Sequence, residues 1–269
     1  MKTLKRQIVA STHVDLHGDQ IPREQLERLF EQMRDPWILT SEHNQAKPPI
    51  ARSYNKEFSQ LDDGEWAIRV DIDVFDEVAF ANYGGFSIAY FRRRRTINPQ
   101  RQPEVEVIYN PDVFTDDEIG DIIALSTKDL QIDGRELVQK ELGIPLILIV
   151  KFAVVAYFAA FFGAMGTETW KYLRHRIKVL AERKRQQSQK ALTCHFIFPM
   201  QYQGCIIEVL AEVPVDSFPL LETGKVSTII DLDVYTKGKR VQKVAIRFDA
   251  EAKRWALAYC ISDDGSVIV

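Results

Sequence analysis

The sequence is organised around one stretch, Tyr83-Gly84-Gly85-Phe86-Ser87-Ile88-Ala89-Tyr90-Phe91. From Phe86 onward, aromatic and aliphatic residues dominate, which is typical of a strand that is buried on both faces. The two glycines before it allow close backbone approach or a positive φ. Ser87 is a small hydroxyl residue between large hydrophobic ones. It is therefore either packing filler or a candidate nucleophile, and this stretch alone does not decide between the two.

The segments that flank this stretch occur in a characteristic order. The order is Val14–Pro22, a helical pattern, Ser41-Glu42-His43-Asn44, Pro48–Arg52, an alternating strand over 65–75, the serine stretch and finally Glu104–Pro111. In this order the segments resemble the phage prohead protease family, whose fold is shared with the herpesvirus capsid maturation proteases. The resemblance covers about residues 8–115. It depends on order and spacing, because each motif is weak by itself.

The resemblance implies a fold and a set of catalytic roles. It implies an N-terminal β-barrel with flanking helices, in which Ser87 is the nucleophile and His43 is the general base. Glu104 or Glu106 is the implied carboxylate that orients the imidazole, and Glu104 is preferred because it keeps the family's spacing to Pro111. The implied activity is that of a serine endopeptidase that cleaves a protein substrate or itself.

Three positions depart from the family's pattern. Asn44 stands where the family has an aspartate after the histidine, and Ala51 and Ala89 stand where it has glycines. The loss of both glycines restricts the backbone near the implied site. The alternative function is therefore a catalytically inactive scaffold, or a membrane-acting effector that uses the barrel for assembly.

Hydrophobic periodicity predicts the elements around this site. A stripe at helical spacing predicts a helix after Pro22, and its residues are Leu26, Leu29, Phe30 and Met33. Residues 65–75 alternate between apolar and polar, which predicts a strand with one core face and one face that carries Asp71 and Asp73. That acidic face is expected either to receive a basic peptide or to be a solvated sheet surface.

Composition and charge limit the partners. A chain of 269 residues with 46% hydrophobic residues suits two modest domains, and a net charge of −3 gives no overall attraction to nucleic acid. The run Arg92–Arg95 is expected to be a solvated loop or a substrate-facing rim, so no specific nucleic-acid partner is predicted.

No metal or cofactor is predicted. The three cysteines, Cys194, Cys205 and Cys260, lack zinc-ligand spacing and are expected to be reduced and mostly buried. A second group of metal-ligand types near the N-terminus consists of His13, Asp15, His17, Asp19 and His43. Gly18 argues against the helix that would bring the first two histidines together.

A hydrophobic segment follows the first domain. Residues 144–165 are apolar except for Lys151 and are long enough to cross a bilayer as one helix. The densely basic stretch Trp170–Lys184 predicts a second helix. The sequence thus predicts a cytoplasmic protein that is associated with the inner membrane through 144–165, or alternatively one in which this helix is buried in a homo-oligomer.

The predicted domain plan has four parts. Residues 1–127 form the prohead-protease-like domain, 128–143 a linker, 144–190 the hydrophobic and basic helices, and 191–269 a small α+β accessory domain. In the accessory domain, apolar runs predict two β-hairpins, 193–213 and 241–261. The fold class is α+β.

Overall fold

The computed structural model describes residues 2–14, 20–33, 35–39, 44–81, 90–138, 146–153, 168–188, 191–222, 232–236 and 238–268. Contacts divide the chain into two compact units. Unit 1 comprises Met1–Tyr90 with Gln139–Leu142, and unit 2 comprises Phe91–Val138 with Gly143–Val269. Large sheets dominate, with helices beside them, so the predicted α+β class is confirmed.

Unit 1 contains a four-stranded antiparallel sheet. Its elements are β1 (Lys2–Ser11), α1 (Arg23–Gln32), β2 (Trp37–Leu39), β3 (Ala51–Gln60), β4 (Trp66–Val74) and α2 (Glu77–Ala81). The strand order is β1-β4-β3-β2. The predicted helix after Pro22 is present as α1, and the predicted alternating strand is present as β4.

The core of unit 1 lies on one face of β4. Ile68, Val70 and Ile72 alternate along this strand and are almost fully buried. Leu26 on α1 is buried in the same cluster, as its place in the predicted apolar stripe requires. The alternation leaves Asp71 and Asp73 for the opposite face of the sheet.

Unit 2 contains a nine-stranded mixed sheet. Its strands are β5 (Tyr90–Arg95), β6 (Val105–Tyr109), β7 (Ile132–Val138), β8 (Ile147–Phe152), β9 (Thr193–Tyr202), β10 (Cys205–Pro214), β11 (Val241–Asp249), β12 (Arg254–Ser262) and β13 (Val267–Ile268). Its helices are α3 (Asp116–Ile123), α4 (Glu168–Ser188), α5 (Phe218–Glu222) and α6 (Leu232–Thr236), with a 3-10 turn at Val215–Ser217. The strand order is β13-β12-β11-β10-β9-β8-β6-β7-β5.

Parallel neighbours in this sheet are joined by helical connections. Strands β6 and β7 are parallel with α3 between them in sequence, and β8 and β9 are parallel with α4 between them. Strands β9 and β10 form an antiparallel hairpin whose two turn residues, Gln203 and Gly204, have φ of 47° and 78°. Two successive positive φ values are typical of the tight turns that close hairpins. Strands β11 and β12 also pair in antiparallel fashion, so both predicted hairpins are confirmed.

The core of unit 2 is formed between the sheet and the helices. Leu173, Ile177 and Leu180 on α4 are buried with Ile119 on α3 and Phe196 on β9. On β7, a Cβ added at Gly134 would lie 2.8 Å from Cδ1 of Ile123 and 3.1 Å from Cγ2 of Ile119. A glycine is therefore needed where α3 approaches the strand most closely.

The predicted single helix over 144–165 is wrong. Residues Ile147–Phe152 form β8, which pairs with Val105–Ile108 on one side and Thr193–Ile197 on the other. An apolar run buried inside a sheet has the same hydropathy as a buried helix, so hydropathy alone could not separate them. Residues 154–167 lie outside the described part of the chain. None of the described helices combines the length and apolar character that a membrane span requires.

The division of the chain differs from the predicted one. The boundary found from contacts lies at Tyr90/Phe91, whereas the sequence suggested 127. The segment 128–143, predicted to be a linker, contains β7, and the strands of 191–269 continue the sheet that holds β6. The physical reason is that β6 pairs with β7 and β8, both of which follow residue 127 in the sequence.

Candidate active site

The implied nucleophile and base, Ser87 and His43, lie outside the described residues. Both numbers fall within the range of unit 1. The described elements nearest to them in sequence are β2, which ends at Leu39, and β5, which begins at Tyr90. Their predicted positions, at a strand's end or in the loop after it for His43 and within a strand for Ser87, remain predictions.

Glu104 has both carboxylate oxygens engaged. Its Oε1 accepts a hydrogen bond from Nη2 of Arg101 at 2.7 Å, and its Oε2 accepts one from the backbone N–H of Gln131 at 2.6 Å. Burial acts to raise the pKa of Glu104, but the Gln131 and Arg101 hydrogen bonds outweigh it and hold the pKa below its usual value. Glu104 thus connects the start of β6 to the start of β7.

Glu106 is less completely engaged. Its Oε1 accepts a hydrogen bond from Nη1 of Arg135 on β7 at 3.3 Å, and the Arg135 guanidinium lies 3.9 Å from the ring centroid of Phe91. Within the described part of the chain, Oε2 of Glu106 accepts no hydrogen bond. Of the two carboxylates that the sequence nominated, Glu106 is therefore the one with an acceptor atom still available.

The acidic face of β4 is a buried polar layer. Asp71 is 9% exposed, and it accepts hydrogen bonds from Nζ of Lys5, the backbone N–H of Arg6 and Nδ2 of Asn55. These bonds, with that of Lys5 the strongest cause, lower the pKa of Asp71 to about 2. Neither predicted description of this face fits, because cross-strand neighbours occupy the positions expected for solvent or for a basic peptide.

Asp73 completes the same layer. Its Oδ1 accepts hydrogen bonds from the hydroxyls of Thr3 and Tyr54, at 2.8 and 3.2 Å, and its Oδ2 lies 3.0 Å from Nη2 of Arg52. Burial acts to raise the pKa of Asp73, but these donors keep it below its ordinary value. Together with Asp71, it joins β1, β3 and β4 through charged hydrogen bonds rather than presenting an open site.

The four arginines of β5 are held by carboxylates. Arg92 lies 2.7 Å from Glu136 and Arg94 lies 2.6 Å from Asp133, and both of these acids on β7 are buried. The two arginines between and after them, Arg93 and Arg95, both contact Asp116 at the start of α3. The run forms an edge strand rather than the predicted loop, and the side chains of Arg92, Arg93 and Arg94 are exposed, as predicted. Carboxylates within unit 2 neutralise their charges, and a substrate-facing role stays a prediction.

Other candidate chemistry finds no support among the described residues. Cys194 and Cys260 are buried as predicted, and burial raises the pKa of Cys260 to about 11, which disfavours the nucleophilic thiolate. His13 is exposed and its Nε2 lies 2.7 Å from Asp63. No group of metal-ligand side chains occurs within the part of the chain that is described. The remaining residues of the predicted N-terminal group, Asp15, His17, Asp19 and His43, lie outside it.

Comparison of the chain with protein-family models, with curated proteins and with solved structures finds no match. The resemblance to the prohead proteases therefore depends on the motifs of the sequence itself.

Sequence reasoning missed the buried acids of β7. Asp133 and Glu136 fall in the segment that was predicted to be a linker. Their side chains are 0% and 2% exposed in the ion pairs with β5. The available signal was the coincidence of four arginines in one strand with acids spaced along another, which favours pairing between the two strands.

Proposed function

We propose that the chain is a serine peptidase-like protein in which Ser87 is the nucleophile and His43 is the general base. The observation that carries the proposal is the order of the described elements of unit 1. The helix and the acidic strand of the resembled motifs have counterparts in α1 and β4, in the same order along the chain, and in the sequence His43 comes between these two elements and Ser87 after both. The implied substrate is a peptide bond of a protein, either another chain or this one.

In the proposed mechanism His43 accepts and returns a proton in each of the two halves of the reaction. The Ser87 hydroxyl attacks the carbonyl carbon of the substrate while His43 accepts its proton. The tetrahedral intermediate then releases the amine, which takes that proton from His43, and leaves an acyl group on Ser87. Water hydrolyses the acyl group in the second half, with His43 again acting as base and the Ser87 hydroxyl restored.

The proposal does not depend on Glu104 or Glu106. Both oxygens of Glu104 are engaged in bonds within unit 2, and Glu106 is paired with Arg135. A histidine without an orienting carboxylate is a weaker base, and loss of that carboxylate costs about 10⁴-fold in kcat in a well-studied protease. We therefore expect slow turnover, as suits a protein that acts on few substrate molecules or on itself.

A reactive fluorophosphonate tests this chemistry, because it phosphonylates a serine hydroxyl that is activated by a base. Wild-type protein should be labelled at Ser87, as located by peptide mass spectrometry. The variant Ser87→Ala should lose labelling, and His43→Ala should slow it by about 10³-fold or more, because nucleophile and base act as a unit. Matched controls are Ser59→Ala and His13→Ala, which remove the same residue types from described positions of unit 1.

The second candidate function is an inactive scaffold. It is favoured by the engagement of both oxygens of Glu104 in structural bonds and by alanines at two positions where the resembled family has glycines. Folded wild-type protein that is not labelled at Ser87 would support the scaffold and contradict the peptidase.

Assembly into a homo-oligomer stays a prediction that light scattering on the purified chain can test. A membrane span at 144–165 is not part of either candidate function, because Ile147–Phe152 form β8.

A further inference from the structure

The outer side of α4 carries a row of cations at regular spacing. Lys171, Lys178 and Arg185 are exposed and seven residues apart. Seven residues make almost two helical turns, so the three side chains lie on the same side of the helix. At 1.5 Å per residue, the row is about 21 Å long with about 10 Å between successive charges. His175, also exposed, lies on the same side between the first two.

Most of this row is not neutralised by the described residues. Within the described part of the chain, Lys171 and Lys178 have no carboxylate partner. Arg185 lies 3.4 Å from Asp216, but both side chains are about two-thirds exposed, at 67% and 65%. Such an exposed pair contributes little and can exchange partners at low cost. Glu182 is the one acidic residue among the exposed described positions of α4.

The opposite side of α4 limits which anionic partner can bind this row of cations. Leu173, Ile177 and Leu180 are buried in the core of unit 2. An interfacial membrane helix needs its apolar face for insertion into lipid, and here that face is already used. What remains for a partner is a straight line of charges. Duplex nucleic acid is a polyanion of high linear charge density, with one phosphate charge per about 1.7 Å of helix axis when both strands are counted, so a row about 21 Å long faces several phosphates.

We propose that the outer side of α4 binds the phosphate backbone of duplex nucleic acid, independently of base sequence. The contacts are made by Lys171, Lys178 and Arg185, each with one phosphate. Backbone contacts of this kind supply affinity but carry no sequence information. This binding is separate from the proposed peptidase site, since none of its residues belongs to unit 1.

The test uses the full chain and a fluorescent 20-base-pair DNA duplex of arbitrary sequence, with binding followed by anisotropy. Three phosphate contacts predict that raising salt from 50 to 200 mM weakens binding by about 40-fold. The triple variant Lys171→Gln, Lys178→Gln, Arg185→Gln should abolish most of this salt dependence. Glutamine keeps helix propensity, so the fold should be unaffected.

The matched control removes three exposed lysines elsewhere in unit 2, namely Lys128→Gln, Lys239→Gln and Lys253→Gln. It has the same net charge as the first variant. Equal loss of binding in both variants would overturn the proposal, because it would mean that net charge rather than the row is responsible. So would absence of duplex binding at 50 mM salt, or binding to phosphatidylserine vesicles without binding to the duplex. Loss in the α4 variant alone supports it.

Discussion

The two units bury acidic side chains in different ways. In unit 1, Asp71 and Asp73 lie on the interior strand β4, and each is surrounded by several donors, some charged and some neutral. In unit 2, Asp133 and Glu136 lie on β7, and each has its ion pair with one arginine of the neighbouring edge strand. The difference is one of redundancy. Each of the four acids has one cation, but Asp71 and Asp73 keep two other donors each when that cation is removed. Asp133 keeps one, Nε2 of Gln131, and loses its charge compensation while still buried.

The largest expected effect comes from truncation within unit 2. Deleting 191–269 removes β9–β13, which supply much of the sheet and of the core around α4. We expect unit 2 to lose its cooperative fold and unit 1 to keep its own. Hydrogen exchange measured by mass spectrometry should show full exposure of β6 and β8 but retained protection of β4. Retained protection of β6 would instead support the accessory-domain plan inferred from the sequence.

The next largest effect concerns the buried acids of β7, each of which pairs with one arginine of β5. Arg94→Met leaves Asp133 buried without its cation and should cost about 3–5 kcal/mol of unfolding free energy. The same change at Arg93, whose partner Asp116 is half exposed, should cost less than about 1 kcal/mol. Urea denaturation of both variants provides the measurement.

A second substitution distinguishes lost charge compensation from lost packing. Adding Asp133→Asn to Arg94→Met removes the uncompensated charge and should recover part of the stability, whereas an effect of packing alone would not recover. The amide oxygen of the new side chain can still accept the hydrogen bond that Asp133 accepts from Nε2 of Gln131.

The same two regions show what the sequence could and could not predict. The alternation along 66–74 and the stripe on α1 are local patterns, and each predicted element is present. The strand at Ile147–Phe152 was mistaken for a helix because a sheet strand covered on both sides loses the alternating pattern. No local pattern around Arg92–Arg95 indicated that Arg92 and Arg94 would pair with acids about forty residues later in the chain.

The candidate site was predicted less completely than the fold. The sequence nominated Glu104 above Glu106 because of motif spacing, which contains no information about hydrogen-bond partners. The structure shows Glu104 bound through both oxygens, to Arg101 and to the backbone of Gln131. The Gln131 contact joins the starts of β6 and β7, which are adjacent only after folding, so local motifs could not predict it.

A smaller effect is expected in the many-donor arrangement of unit 1. Asp73→Asn keeps an acceptor for Thr3 and Tyr54 but replaces the charged oxygen that faces Arg52. Loss of one charge-assisted bond should cost about 1.5–3 kcal/mol, less than Arg94→Met. Hydrogen exchange of the β4 peptide gives the local unfolding free energy. A cost equal to that of Arg94→Met would show that redundancy gives unit 1 no advantage.

The smallest expected effect is a dependence of the stability of β4 on acidic pH, and it distinguishes the contribution of Asp71 from those of other carboxylates. The folded-state pKa of Asp71 is lowered to about 2, from 3.8 for the ordinary side chain, first by the hydrogen bond from Lys5 and then by those from Arg6 and Asn55. A lowered pKa stabilises the folded state at pH values above the unfolded-state pKa, and this contribution is lost as the pH falls from about 4 to about 2.

Protection of β4 from hydrogen exchange in wild-type protein should therefore decrease over that interval. The decrease should be smaller in Asp71→Asn, which cannot ionise, and unchanged in Asp62→Asn, whose side chain is exposed in the turn before β4. If Asp71→Asn follows the wild-type acid profile, other carboxylates determine the acid sensitivity of this sheet.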